Sequence, residues 1–212
     1  ALEFIWGNGG VFLEPEAAVP ATAYMRTLIA DGISPAVVAT ADEENARLLF
    51  GDGRAVFKRN WPYAWRFLQQ AGSPVRGRIG VAPLPSFPGH EPASVMGGWM
   101  LAVPERARHA ELASALAVYL ASEPVQQRMA SLMSYSPSRR ALYEASADDA
   151  APMPALLPVF EKARPRPLTP YYLTVSHVLQ PAFSEIVVGR KSANEALNDA
   201  RRHIAAVVGG EQ

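Results

Sequence analysis

The chain has no cysteine among its 212 residues, which excludes disulfides, thiolate metal sites and cysteine nucleophiles. That suits an oxidising compartment, where stray thiols are a hazard. No apolar run approaches the ~18 residues that a membrane-spanning helix needs. No basic-then-apolar leader opens the chain. Neither sign of charge dominates, since 20 Lys and Arg face 20 Asp and Glu. A cationic surface for nucleic acid or anionic membrane is therefore not expected, and a neutral ligand fits better. The familiar catalytic patterns are missing as well. His90, His109, His177 and His203 are scattered, with no metal-binding spacing. There is no Gly-x-Ser-x-Gly elbow and no glycine-rich phosphate loop ending in Gly-Lys-Ser/Thr. The adjacent pairs Glu43-Glu44 and Asp148-Asp149 point to different faces and read as solvated charge. The expectation is a protein that is not an enzyme, with no cofactor and no metal site.

What the chain does have is material for a core, with 49% hydrophobic residues. Ala1-Leu2-Glu3-Phe4-Ile5-Trp6 is apolar and helical in pattern, has no capping residue before it, and runs into Gly7-Asn8-Gly9-Gly10. A chain that opens inside a helix reads as cut, with a natural start and a frayed first turn as the alternative. Helical spacing predicts a helix over 16–30, with Pro20 tolerated in its first turn, and another over 40–50, with Thr40 and Glu43 as a capping box. Helices are also expected over 109–121, from Pro124, and over 139–146, 154–163, 171–189 and 192–208, the last capped by Ser192 with Glu195. Short strands are expected over 54–58, 78–82 and 99–103, and an Ala-Asp surface loop over 145–151. Sparse strands among many helices predict an α/β fold with a small sheet.

Three tracts could carry chemistry. In Asn60-Trp61-Pro62-Tyr63-Ala64-Trp65, Pro62 at the first helical position would put Trp61 at the helix mouth, facing a cleft, and Trp65 on the core side. Tyr63 could serve either purpose. Gly97-Gly98-Trp99 offers bare backbone followed by an aromatic face. Its glycines serve either a turn with positive φ or the close approach of a ligand. Arg166 lies between Pro165 and Pro167, on stiff extended backbone, ahead of Tyr171 and Tyr172. A guanidinium held that way can donate to two hydroxyls, though a helix-end ion pair is an equal use for it. Aromatic faces pack on the C–H faces of sugar rings, while arginine and backbone N–H groups bond sugar hydroxyls.

In order and spacing, these tracts resemble the C-terminal half of the periplasmic sugar-binding proteins of ABC transporters, the maltose/trehalose branch especially. The turn at Phe50 and Gly53-Arg54-Ala55, the tract Tyr135-Ser136-Pro137-Ser138-Arg139 and the stretch from Gly189 to Ala200 match too. The resemblance implies a type II periplasmic-binding-protein fold of two α/β lobes closing on a sugar. Residues 1–85 would be the first part of the C-terminal lobe. Residues 86–130 would return to the N-terminal lobe through the proline-rich crossing at Pro83, Pro85 and Pro88, and 131–212 would complete the C-terminal lobe. It implies a neutral oligosaccharide ligand contacted by Trp61, Tyr63, Gly98, Trp99, Arg166 and Tyr171. It also implies membrane permease subunits as partners, an exported location in the periplasm or anchored outside the membrane, and an N-terminal lobe missing from this sequence. Two other readings stand beside it: a helical interaction module in which the aromatic tracts are core, and a binder of another polyol or glycosylated solute.

Overall fold

A computed structural model describes residues 1–144 and 153–209. The expected loop over 145–151, and the end of the helix expected over 139–146, lie outside the described residues. In chain order the helices are α1 Leu2–Trp6, α2 Pro15–Ala30, α3 Glu43–Gly51, α4 Ala64–Leu68, α5 Ala110–Leu120, α6 Glu123–Met133, α7 Ala141–Glu144, α8 Met153–Lys162, α9 Tyr172–Val188 and α10 Ala193–Gly209. A 3₁₀ turn covers Ala36–Ala39. The chain divides into two compact units. The first comprises Ala1–Asp42, Pro83–Met96 and the described residues from Lys162 on, and the second comprises the described residues of Glu43–Ala82 and Gly97–Glu161.

The long helices fall where apolar periodicity predicts them, and four local expectations fail. Residues 54–58, 78–82 and 99–103 are irregular rather than strands. A strand exists only by exchanging N–H and C=O bonds with a neighbour, and none of these tracts runs beside another among the described residues. The one ladder-like pairing there is a parallel bridge of Val95 with Arg164, in which Arg164 N–H donates to Ser94 O at 2.9 Å and Met96 N–H to Arg164 O at 2.7 Å. Thr40 does not cap α3: it closes the 3₁₀ turn, its hydroxyl donating to Val37 O at 3.3 Å, and the helix begins at Glu43. Pro62 is not a first helical residue, because it lies in a turn before α4 and Tyr63 takes the cap position. Pro20 sits beyond the first turn of α2, inside the helix.

The first unit holds the larger core. Val175, Leu179, Ala182 and Ile186 form one stripe of α9, and Ala193, Ala196, Leu197 and Ala200 form one stripe of α10. Both meet Ile5 of α1, Leu13, and Ala18 and Ala21 of α2. The alanines let the helix axes approach closely, while Ile186 at 1% and Leu197 at 0% exposure fill the centre. The junction between the stripes is held at both ends. Gly189 closes α9 in the left-handed region, at φ 77°, which costs glycine nothing. The Ser192–Glu195 capping box forms as expected, with Ser192 N–H donating to Glu195 Oε2 at 3.0 Å and Glu195 N–H to Ser192 Oγ at 3.2 Å.

The second unit has a smaller core of Ala130, Tyr143 and Leu156, with Leu157 and Phe160 packed against it. The Tyr143 hydroxyl donates to Pro137 O at 2.6 Å, which satisfies the phenol where burial has pushed its pKa up to about 12. Helix α5 is nearly all apolar yet buries no residue: Leu112, Leu116, Val118 and Tyr119 are all exposed.

This contrast sets an expected outcome for urea melts of the chain. Ile186→Ala should cost ~2–5 kcal/mol, the range for truncating a core side chain, while Leu116→Ala should cost less than ~1 kcal/mol. Equal losses would mean that α5 is packed in solution.

Candidate ligand-binding site

The aromatic tract of the second unit is tied to the first turn of α3. Asn60 bonds both ways, its Oδ1 accepting the Trp61 N–H at 2.7 Å and its Nδ2 donating to Glu43 O at 3.3 Å. That fixes the backbone at Trp61. The indole is half-buried, with the Arg59 guanidinium 5.2 Å from a ring centroid on one side and the Gly97 backbone against it. A methyl group on Gly97 would sit 2.7 Å from Trp61 Cη2, so glycine is required there for close approach. Neither Gly97 nor Gly98 has positive φ, which removes the turn explanation for the pair, and a methyl group on Gly98 would meet nothing. Trp99 follows at 95% exposure. Within this chain Trp99 belongs to neither core. Trp65, expected on the core side, is only half-buried.

Tyr63 is held by α3. Its hydroxyl donates to Glu44 Oε1 at 2.6 Å, and Arg47 Nε donates to Glu44 Oε2 at 2.8 Å. The bond to Glu44 raises the phenol pKa to about 12. The same bond, and then that from Arg47, hold the Glu44 carboxyl below its ordinary range. Phe67 completes the cluster, edge-on to Tyr63 at 6.2 Å and beneath the Arg47 guanidinium at 4.6 Å. Lys58 lies in the field of Arg47 and Glu44 with its ammonium covered and no hydrogen-bond partner. Burial, and then Arg47, lower its pKa to about 8.

In the first unit, Arg166 is exposed on its extended segment, with the guanidinium 5.5 Å over the ring of Tyr172. Tyr171 is half-buried against the core, its N–H donating to Thr169 Oγ1 at 3.3 Å. The structure thus gathers Trp61, Tyr63, Gly98 and Trp99 in one unit, and Arg166 with Tyr171 in the other. Sequence reasoning missed Gly97 as the essential glycine, Tyr172 as the ring under Arg166, and the Glu44, Arg47 and Lys58 cluster. The i, i+3 spacing of Glu44 and Arg47 was readable, but the bond from Glu44 to a tyrosine 19 residues away was not. Among the described residues, no group of three His, Asp or Glu could hold a metal, and no helix is long and apolar enough to cross a membrane.

Comparison with known proteins gives this arrangement its context. The family model for bacterial extracellular solute-binding proteins matches residues 4–155. The chain belongs to that family. Among curated relatives of this chain is a probable ABC transporter-binding protein of Deinococcus radiodurans, 35% identical over 99% of the chain and 53% of the relative. Among solved structures, maltose-bound MalE3 of T. maritima is 36% identical, with a TM-score of 0.86 over 95% of this chain and 55% of that one. The GacH receptor of Streptomyces glaucescens, at 23% identity and a TM-score of 0.82 over 96% of this chain and 55% of that one, shows the same fold. The fold is that of the type II periplasmic-binding proteins, of which this chain contributes a helix-rich part. The chain spans about half the length of the relatives it matches.

Two measurements check this geometry. Gly97→Ala should displace the Trp61 indole and shift its N–H resonance, identified by its loss in Trp61→Phe, while Gly98→Ala leaves it in place. The second concerns Lys58, whose pKa of about 8 in the folded chain lies below its ordinary 10.5. Below pH 8 the covered charge penalises the folded state. Between those two values the unfolded chain binds more protons, so this group's contribution to stability rises with pH. Lys58→Met should therefore raise the urea midpoint at pH 7, by an amount that shrinks as pH nears 10.5. A gain independent of pH would exclude the charge as its cause.

Proposed function

We propose that this chain is part of the substrate-binding component of an ABC sugar importer, exported to the periplasm or anchored outside the membrane. It takes up a neutral oligosaccharide of the maltose or trehalose kind in a cleft between lobes and hands it to membrane permease subunits. It acts by binding, not as an enzyme. The observation that carries this reading is the pair Trp61 and Trp99 at either side of Gly97-Gly98: one indole fixed against Gly97, the other 95% exposed and outside both cores of this chain. An aromatic face left open beside a second, anchored one is what a sugar ring needs on its apolar side. Tyr63 and Arg166 would add hydrogen bonds, with Gly98 giving backbone access and Tyr171 bordering the site. The maltose-bound state of MalE3, at 36% identity, favours sugar over another polyol or glycoside.

The same reading gives α5 a partner. In the stretch 86–130, an apolar helix without a buried residue sits in a chain about half as long as its relatives. We assign its exposed face to an N-terminal lobe, the remaining half of the binding unit. Such a lobe could also supply the neighbours that the irregular tracts 54–58, 78–82 and 99–103 lack in this chain.

Calorimetry with maltose, trehalose, sucrose and glucose tests this. With both lobes present, one of these sugars should bind with a micromolar constant, and Trp61→Ala or Trp99→Ala should each cost ~1–3 kcal/mol. This chain alone should show millimolar affinity at best, because losing half of a micromolar binding energy of ~8 kcal/mol leaves no more. Micromolar binding by the chain alone would rule out a second lobe as part of the site.

A further inference from the structure

A phenol has one proton to give, and Tyr63 gives its proton to Glu44. The acceptor cannot reverse that bond. Glu44 is held ionised by Tyr63 and Arg47, with Lys58 adding a weaker attraction, and an ionised carboxylate only accepts. Nor can the tyrosine easily turn away. Its ring packs edge-on against Phe67, Arg47 lies over that same Phe67 while bonding Glu44, and Asn60 ties the tract to Glu43 O. What Tyr63 has left for any third group is lone pairs.

We propose that Glu44 is a positioning residue that makes the Tyr63 hydroxyl an acceptor-only contact, so that the site selects solutes presenting a hydroxyl donor there. It would reject those presenting an ether oxygen or fluorine at the same point. This rests on the sugar-binding reading above, with Tyr63 facing the sugar. The physical reason is that a site built to pair one polar group rejects a substitute that leaves two acceptors opposed.

The test uses the polypeptide with both lobes and maltoses carrying one fluorine in place of one hydroxyl, position by position. At one position the wild type should lose ~10-fold or more in affinity relative to maltose. In Glu44→Ala, the freed phenol proton can reach the fluorine, and the loss at that position should fall to within ~3-fold. Tyr63→Phe should weaken maltose itself and abolish the contrast. In parallel, the difference between ultraviolet titrations of wild type and Tyr63→Phe should place the phenol near pH 12, moving toward its ordinary 10.0 in Glu44→Ala. Equal fluorine penalties in wild type and Glu44→Ala would overturn the proposal, as would a wild-type phenol that titrates near its ordinary value. If the wild type binds none of the sugars, the sugar reading falls and this inference with it. The titration then still reports the Tyr63–Glu44 bond on its own.

Discussion

The outer edge of the Trp61 indole comes so close to the backbone of Gly97 that a methyl group there would sit 2.7 Å from Cη2, a contact only glycine allows. That contact joins two tracts far apart in sequence and sets where the second unit can offer an aromatic face. With Asn60 holding the Trp61 backbone and Glu44 holding Tyr63, the tract is anchored to α3 at two points, Glu43 O and the Glu44 carboxylate. Trp99, two residues after Gly97, is exposed. Rigid aromatic groups next to an exposed one suit binding, because little rotamer entropy remains to be lost when a ligand arrives.

The two units differ in kind. The first is a conventional helical core in which α9 and α10 pack small residues against α1 and α2, and it presents Arg166 over Tyr172 on a proline-stiffened segment. The second has a modest core and leaves apolar surface on α5 in water. A helix so rich in leucine and alanine gains little by standing alone, since the hydrophobic effect rewards burial and not composition. That face is the surface we assign above to a second lobe.

The sequence made the long helices legible because their stripes are set by local spacing and their ends by local chemistry, as at Ser192 and Glu195. It also carried the aromatic tracts and, through them, the family. The strands were less legible. Val56 and Phe57 have strand-like character, but a strand depends on a neighbour, and both residues are exposed in this chain. The cap at Thr40 failed because a proline-initiated 3₁₀ turn competes for the same residue. The role of Gly97 and the bond of Tyr63 to Glu44 are contacts between segments, which no local pattern encodes.

The central claim is that Trp61 and Trp99 meet the sugar, and the four tryptophans of the chain make it directly measurable. Maltose at millimolar concentration can be added to the nitrogen-15-labelled chain while the indole N–H resonances are followed. The signals of Trp61 and Trp99 should move together along one saturation curve. That of Trp6, buried and donating to Val11 O at 2.6 Å, should stay fixed. Shifts confined to Trp6 or Trp65, with Trp61 and Trp99 unmoved, would contradict the account.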